Sequence, residues 1–401
     1  MSQYIDELVA SPGSGPLAGI VVADFTRVLA GPYATMLLAD MGATVIKVES
    51  PTGDDSRQWI PPALDGVSTY YLAVNRNKQS ITLDLKDPAD LEVAYELIER
   101  ADIFLENWKP GGLKKFGLDS ESVAARWPEL IHASITGFGS AGGASMPGYD
   151  LLAQALSGFM EVTGSPDGPP QRAGVAIFDV VTGMHVTIGV LAALQERQRS
   201  GRGQHIEVDL LSSALSSLVN QTSGFAAIGN VPVRQGNEHP SLFPYGPFMA
   251  QDRELVICCG NDSQFGRLMT QLGVPDVANE PQYRTMKDRN ANRESLRAIL
   301  ETQLQHDTAE AWFDRLQAVQ VPCAPILGID GGVEFAERIG LEPVVQVGTG
   351  AETVPTIRNP IRFSRTKVSY DKAPPALGAD SDTVREWLAN HPLTQDVLNN
   401  V

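Results

Sequence analysis

The sequence predicts an α/β fold: a large Rossmann-like domain with a mostly parallel sheet, plus a smaller inserted α+β domain. Three observations carry this. In residues 19–49, GIVVADFTRVLAGPYATMLLADMGATVIKVE, an apolar run, a Gly-Pro loop, a helical stretch and a second apolar run succeed one another. That is the order of a βαβ unit with parallel strands. The pattern repeats between 80 and 136, so strands and helices alternate as they do in α/β domains. From about residue 225 the texture changes, with Gly, Pro and Asn clustered in IGNVPVRQGNEHPSLFPYGPF.

In chain order, residues 20–25 read as a buried strand, 33–41 as a helix ended by Gly42, and 44–48 as the next strand, closing on Glu49. A polar loop with Gly53, Asp54, Asp55 and Arg57 follows. Then come a strand at 80–85, a helix at 88–100, and strands at 102–106 and 131–136, the last entering a Gly-rich loop, GFGSAGGASMPGYD. Residues 172–199 hold a long helical pattern, and SGRGQHIEVDLLSSALSSL supplies a turn, a short strand and a helix. The second domain is expected at 225–325, with a strand at 255–259, helices at 263–272, 292–305 and 309–318, and Pro322 and Pro325 at its close. Residues 326–401 return to the large domain, with extended structure at 342–364 and a surface helix at 383–389. The large domain thus takes 1–224 and 326–401.

Composition narrows the function. Hydrophobic content of 43% and charged content of 20% are those of a globular enzyme. A net charge of −17 excludes the broad basic face of a nucleic-acid binder. The start, MSQYIDELVASPGSGPLAG, lacks a signal-type apolar core, and no run approaches the roughly 18 apolar residues of a membrane span. A cytoplasmic protein is the expectation. The 3 cysteines include an adjacent pair, Cys258 and Cys259, which argues against a disulfide framework. The 6 histidines are scattered without a second ligand at metal spacing, so no metal site is expected.

Ligands of open α/β sheets bind beyond the carboxyl ends of the strands. Here those ends carry loops 26–32, 49–57 and 107–112. Basic residues gather nearby: Arg57, Arg76, Lys78, Lys109, Lys114 and Lys115. In so acidic a chain this suggests a local phosphate site, against the plain alternative of solvated surface charge. An NAD-dependent oxidoreductase is disfavoured, because the first turn reads TRVLAGPYA, with one glycine and no G-x-G-x-x-G. Asp179 stands alone among Val175, Ala176, Ile177, Phe178, Val180 and Val181, near the start of a buried helix. A carboxylate in that setting is costly and must be partnered or used. It is either an N-cap or a catalytic group.

Several stretches together resemble the family III CoA-transferases, the group that contains formyl-CoA transferase and carnitine CoA-transferase and is related to the α-methylacyl-CoA racemases. They are PLAGIVVADFTRVLAGPYATMLLADMGATVIKVE, NRNKQSITLDLK, LENWKPGGLKKFGLD, GYDLLAQALSGFM, DVVTGMH, GRGQHIEVDL, HPSLFPYGPF, VPCAPI and PPALG. They span nearly the whole chain, in order. The resemblance implies an interlocked homodimer whose active site lies where one large domain meets the partner's small domain. It implies coenzyme A and acyl-CoA as substrates with a small carboxylic acid, and no tightly bound cofactor. Asp179 would attack the thioester, giving a mixed anhydride and then an aspartyl-CoA thioester. Tyr149 and Asp150 join it as candidate catalytic residues. The implied coenzyme A set is Val28, Leu29, Ala30, Arg57, Asn75, Arg76, Lys78, Asn107, Lys109, Lys115 and Phe116.

Two departures from formyl-CoA transferases bear on the acceptor. Leu29 stands where they have glutamine, and HPSLFPYGPF replaces their glycine-rich loop. A larger acid fits better than formate or oxalate, such as a dicarboxylate with succinyl-CoA as donor. The racemase reading needs a His-Asp pair where this chain has Tyr149-Asp150, and a tyrosine with a pKa of about 10 is a poor general base. His185 reads as an interior histidine rather than a substitute.

Overall fold

The computed structural model of the chain describes residues 15–350 and 352–390; the acidic N-terminal stretch before Gly15 lies outside them. Two compact units result. Among the described residues, one falls within 1–159, 172–230 and 342–401, the other within 160–171 and 231–341.

The larger unit is built on six strands: β1 (Val21–Phe25), β2 (Thr44–Glu49), β3 (Lys78–Thr82), β4 (Ile103–Glu106), β5 (Ile131–Thr136) and β6 (His205–Asp209). Their spatial order is 3-2-1-4-5-6, and every neighbouring pair is parallel. This is the doubly wound order with its switch point beside β1. The central strands are largely apolar because both faces are covered, with Asp24, Lys47, Glu49 and Glu106 buried in their carboxyl-terminal halves. On one face Val22, Val45, Ile103, Leu105, Ile131 and Ala133 pack against α1 (Ala30–Asp40) and a 24-residue helix, α4 (Ile177–Ser200). On the other, Ala23, Phe25, Ile46 and Phe104 meet α2 (Pro88–Arg100), together with Val384, Trp387 and Leu388 of the helix Ser381–Asn390. That last helix is therefore a core element and not the surface helix expected; its apolar residues recur at i, i+3 and i+4, too few to announce burial. Strand β3 begins two residues before its predicted start, and α2 and β5 have the predicted bounds.

Two shorter helices flank α4 in the chain: α3 (Asp150–Leu156) and α5 (Leu210–Ser217). α4 is long and apolar enough by length and composition to cross a membrane, which corrects the expectation that no such stretch exists. Thr182, His185 and Thr187 break the apolar run to the eye. In the fold, Val186, Val190, Ala193 and Leu194 of this helix lie in the core beside α1.

In the smaller unit an antiparallel sheet, Cys323–Pro325, Glu254–Cys258 and Tyr245–Met249, packs against helices Asp262–Gln271, Arg293–Leu304 and Ala309–Ala318. Phe248, Leu255, Ile257, Phe265, Leu300 and Phe313 form its core. This unit differs from the stretch 225–325 read from sequence. Residues 225–228 finish a helix, Asn220–Ile228, of the larger unit, whereas helix Ile329–Arg338 joins the smaller one, with Phe335 edge-on to Phe313 at 6.1 Å. Prolines 322 and 325 mark a strand, not a boundary.

Candidate active site

The loop between β1 and α1 is bound from below. Asp24 accepts the Thr26 N–H at 3.0 Å and the Thr35 hydroxyl at 2.6 Å. Asn107 takes the Arg27 N–H on its side-chain oxygen at 3.0 Å and donates to the Arg27 carbonyl at 2.7 Å. Val28 has φ +72°, a region that β-branched residues avoid. Its N–H points at Asp54, 3.2 Å from each carboxylate oxygen. α1 then starts at Ala30 with Leu29 as N-cap and no side-chain cap. Among the described residues the N–H groups of Leu29 and Ala30 have no protein partner, as expected for donors at a helix start.

Asp179 sits in the first turn of α4, but it is not the cap. Ala176 holds the N-cap position without a side-chain bond. Asp150, from the start of α3, does the capping: its carboxylate accepts the N–H of Phe178 at 2.7 Å and of Asp179 at 3.2 Å. Gln154 donates to Asp150 and accepts the Ala173 N–H at 2.8 Å. So Asp150 is buried with both oxygens hydrogen-bonded, while the half-buried Asp179 carboxylate has no hydrogen-bond partner among the described residues. Burial, then the Asp150 charge, pushes Asp179 up to about 7. The segment entering Tyr149 and Asp150 passes close to the end of β5: a Cβ on Gly137 would stand 2.4 Å from the Gly148 Cα. Likewise α4 meets the start of α1 at Gly183, where a Cβ would be 2.6 Å from the Ala30 carbonyl oxygen.

These elements enclose a cavity of about 550 Å³. Among its walls are Val28, Leu29, Ala30, Asn107, Lys109, Tyr149 and Asp179. Of the residues singled out in the sequence, these seven are brought together. Tyr149 is 65% exposed and contributes the backbone N-cap of α3. The same cavity is walled by Arg27, Asp55 and Trp108, from the three strand-end loops marked in the sequence though not named as site residues, and by Trp59, Thr136 and Met146, which the sequence did not flag. Tyr70 was also missed. Its ring lies edge-on to Trp59 at 5.0 Å, and burial, then Asp179 and Asp150, pushes its phenol up to about 12. No spacing in TYYLAV distinguishes it from Tyr71, which is fully buried.

The other expected coenzyme A residues lie outside this wall, and three members of the basic cluster, Arg57, Arg76 and Lys78, are engaged inside the protein. Arg76 is buried and forks onto Asp40 at 2.9 and 2.6 Å, with its third nitrogen on the Ile357 carbonyl. Lys78 is buried against Asp24 at 3.2 Å and accepted by Asn75, itself fully buried. Burial pulls the Lys78 ammonium down to about 8 against the pull of Asp24. Arg57 forks onto Glu49 at 2.8 and 2.6 Å, stacks on Tyr71 and reaches the Pro375 carbonyl. Lys115 lies over the Phe116 ring at 4.7 Å, and Phe116 belongs to the core. Arg57, Arg76 and Lys78 thus each have an internal anion, a pairing that charge spacing along the chain does not reveal. His185 bonds the Ser213 hydroxyl at 3.1 Å and is not in the cavity wall.

A smaller cavity of about 220 Å³ shares Trp108, Lys109 and Thr136 with the first and adds Glu106, His132, Ser134, His205 and Glu207. Glu106 accepts the Trp108 N–H at 2.7 Å. Burial pushes Glu106 up to about 7 despite bonds from Ser134 and Trp108, and pulls His132 down to about 3. Among the described residues no group of three or more His, Cys, Asp or Glu is placed to hold a metal ion.

Comparison with known proteins accords with this geometry. The sequence family described as CoA-transferase family III matches residues 17–381. A succinate–glutarate CoA-transferase of Agrobacterium fabrum is 41% identical over 379 residues, covering 90% of this chain and 93% of that protein. An acetyl-CoA:oxalate CoA-transferase of Acetobacter aceti is 38% identical over 361 residues, covering 89% and 92%. A crystal structure of a CAIB/BAIF family protein from Brucella suis superposes with a TM-score of 0.85 at 39% identity, covering 93% of this chain and 99% of that one. With the family match running from β1 to the last helix, the chain belongs to CoA-transferase family III and is a CoA-transferase.

Proposed function

We propose that the enzyme moves coenzyme A from an acyl-CoA, with succinyl-CoA as the preferred donor, to a dicarboxylic acid, and that Asp179 is the covalent nucleophile. The observation that carries the reading is the unbonded, half-buried Asp179 carboxylate in the same cavity wall as the free N–H groups of Leu29 and Ala30. A carboxylate is a weak nucleophile, made stronger by removal of its hydrogen-bond donors. The α1 N-terminus offers donors for the oxyanion that forms as it attacks.

In this reading an Asp179 oxygen bonds to the thioester carbonyl carbon, and the C–S bond breaks to release CoA thiolate. The product is an acyl-aspartyl anhydride. The thiolate then attacks the side-chain carbonyl of Asp179, freeing the donor acid and leaving an aspartyl-CoA thioester. The acceptor carboxylate repeats the sequence in reverse, and Asp179 is returned as a carboxylate. No net proton is consumed, so no general base is required; this favours transfer over racemisation, which needs a second base facing Asp179. Asp150 serves as a positioning group on α4. Val28, Leu29, Ala30, Asn107 and Lys109 are the coenzyme A contacts retained. The dicarboxylate is supported by the succinate–glutarate relative. A homodimer is supported by exposed apolar residues on three helices, Leu156, Ile188, Phe225 and Ile228, and by Val219 at the N-cap of the last. Patches of that kind mark contact surfaces.

The test is direct. Enzyme mixed with succinyl-CoA alone and quenched with hydroxylamine should carry a hydroxamate on the Asp179 peptide. Asp179→Asn should bind succinyl-CoA and lose exchange by several orders of magnitude. Near-normal exchange by that variant would end the nucleophile reading.

A further inference from the structure

Two buried Lys–Asp pairs stand beneath the β1–α1 loop, and none of the four side chains is in the cavity wall. Lys47 and Asp54 are 2.9 Å apart with side-chain exposures of 0% and 1%. Lys47 also donates to the Thr26 carbonyl at 2.9 Å. Asp54 accepts the Val28 N–H on both oxygens, and the Ser56 N–H at 2.9 Å. Burial alone would raise the Asp54 carboxyl, but Lys47 and the Ser56 bonds bring it down to about 2. The second pair completes the seat: Lys78 reaches the Pro32 carbonyl at 3.0 Å, and Asp24 holds Thr26 and Thr35.

A buried ion pair is a poor way to gain stability, since an apolar pair of equal volume does as well. What an apolar pair cannot do is accept the N–H of a valine held at φ +72°. Left to itself, Val28 prefers negative φ. A reversal there swings the next peptide units, which carry the N–H groups of Leu29 and Ala30. We propose that Lys47 and Asp54 are positioning residues: the pair locks the left-handed Val28 turn, and so keeps the Leu29 and Ala30 donors aligned with Asp179 for transition-state binding. Lys47 supplies the charge that keeps Asp54 ionised and fixed; Asp54 supplies the acceptor.

The inference rests on Asp179 as the nucleophile, and the experiment separates the two. It is a double-mutant cycle of Asp54→Asn and Val28→Gly, read as kcat and KM for CoA exchange and as the rate of hydroxamate formation on Asp179. Glycine takes φ +72° without steric penalty, so its turn needs the brace less. Asp54→Asn alone should lower kcat and the trapping rate about 10- to 100-fold, with KM for succinyl-CoA altered less than about threefold, as fits an interaction realised in the transition state. In the Val28→Gly background the same change should cost less than about a third as much. Lys47→Met should follow Asp54→Asn in both backgrounds. Equal losses in the two backgrounds, or a change confined to KM, would overturn the proposal. A wild-type measurement guards against variants that do not fold: amide exchange in residues 26–31 should show Val28 protected as strongly as β1, and rapid exchange there also overturns it. If the wild type gives no hydroxamate, the nucleophile reading falls and this inference with it; if it does and the cycle is additive, only the brace falls.

Discussion

Removing the Asp179 charge should stabilise the fold while abolishing the reaction, and the size of the gain follows from its surroundings. Asp179 is shifted from 3.8 to about 7, first by burial and then by the Asp150 charge. Between those values the folded protein holds a proton that the unfolded chain has released. Stability therefore falls as pH rises from about 4 to 7, and above 7 the folded state carries the charge at full cost. Raising a carboxyl from 3.8 to about 7 corresponds to about 4 kcal/mol, an upper bound because Asp179 keeps some contact with solvent. Asp179→Asn keeps the shape and removes the charge. At pH 8 it should unfold later than the wild type by roughly 1–4 kcal/mol, on the order of 2–4 °C in Tm per kcal/mol for a domain of about this size. At pH 4 the difference should vanish, since Asp179 is then protonated in the folded state. Paired thermal scans at pH 4 and 8, with exchange activity on the same samples, provide the assay. A variant no more stable than wild type at pH 8, or equally stabilised at both pH values, would refute the claim that the site holds a destabilised carboxylate.

Three further outcomes follow from the geometry. Gly183→Val puts a side chain where even a Cβ is 2.6 Å from the Ala30 carbonyl; parting α1 from α4 should cost kcat at least tenfold, with about 1–3 kcal/mol of stability, both read on one purified sample. Arg76→Ala strands the buried Asp40 carboxylate and should cost about 3–5 kcal/mol without raising KM for acyl-CoA in the folded fraction, whereas Lys109→Ala should raise KM and leave Tm unchanged. In the pH–rate profile, ionisation of Asp179 should make kcat rise through about pH 7; Glu106→Gln, which removes a neighbouring carboxyl also near 7, should leave that limb in place, and its disappearance would transfer the limb to Glu106.

The parallel sheet was readable because strands buried on both faces are rich in apolar, β-branched residues, as VVADF and TVIKVE show despite Asp24 and Lys47, and because α2 opens on Asp87 and Pro88, an N-cap followed by a helix-compatible proline. Asp179 was readable for a related reason: a lone carboxylate in an apolar run is visible without coordinates. What the chain order hid was pairing. Arg76 and Asp40 are 36 residues apart and Lys78 and Asp24 are 54 apart, so a stretch such as NRNK looks like loose surface charge when it is interior structure. Trp59, in the wall, and Tyr70, packed on it, escaped because an aromatic at a site and an aromatic in a core have the same local pattern. The smaller unit was cut short because Pro322 and Pro325 resemble a linker, although the helix after them belongs with the core before them.

The two aspartates of the site differ only in what their neighbours give them. Asp150 accepts two backbone N–H groups of α4 on one oxygen and the Gln154 amide on the other; with both oxygens engaged it is suited to hold a helix rather than to attack a carbonyl. One of those N–H groups belongs to Asp179 itself and the other to its neighbour Phe178, yet the Asp179 carboxylate receives neither, because Asp150 has taken them. The cap that fixes α4 is thus also what leaves the second carboxylate unsolvated by protein donors and, by its charge, harder to ionise. Asp150→Asn separates these effects. The amide oxygen can still accept from Phe178, so the helix start should persist, while the like charge beside Asp179 is gone. The activity limb near pH 7 should then move to lower pH, with kcat at pH 8 reduced less than by Asp150→Ala, which removes the cap as well. A limb that stays in place in Asp150→Asn would mean that burial alone raises Asp179 and that the pairing of the two carboxylates has no part in tuning the nucleophile.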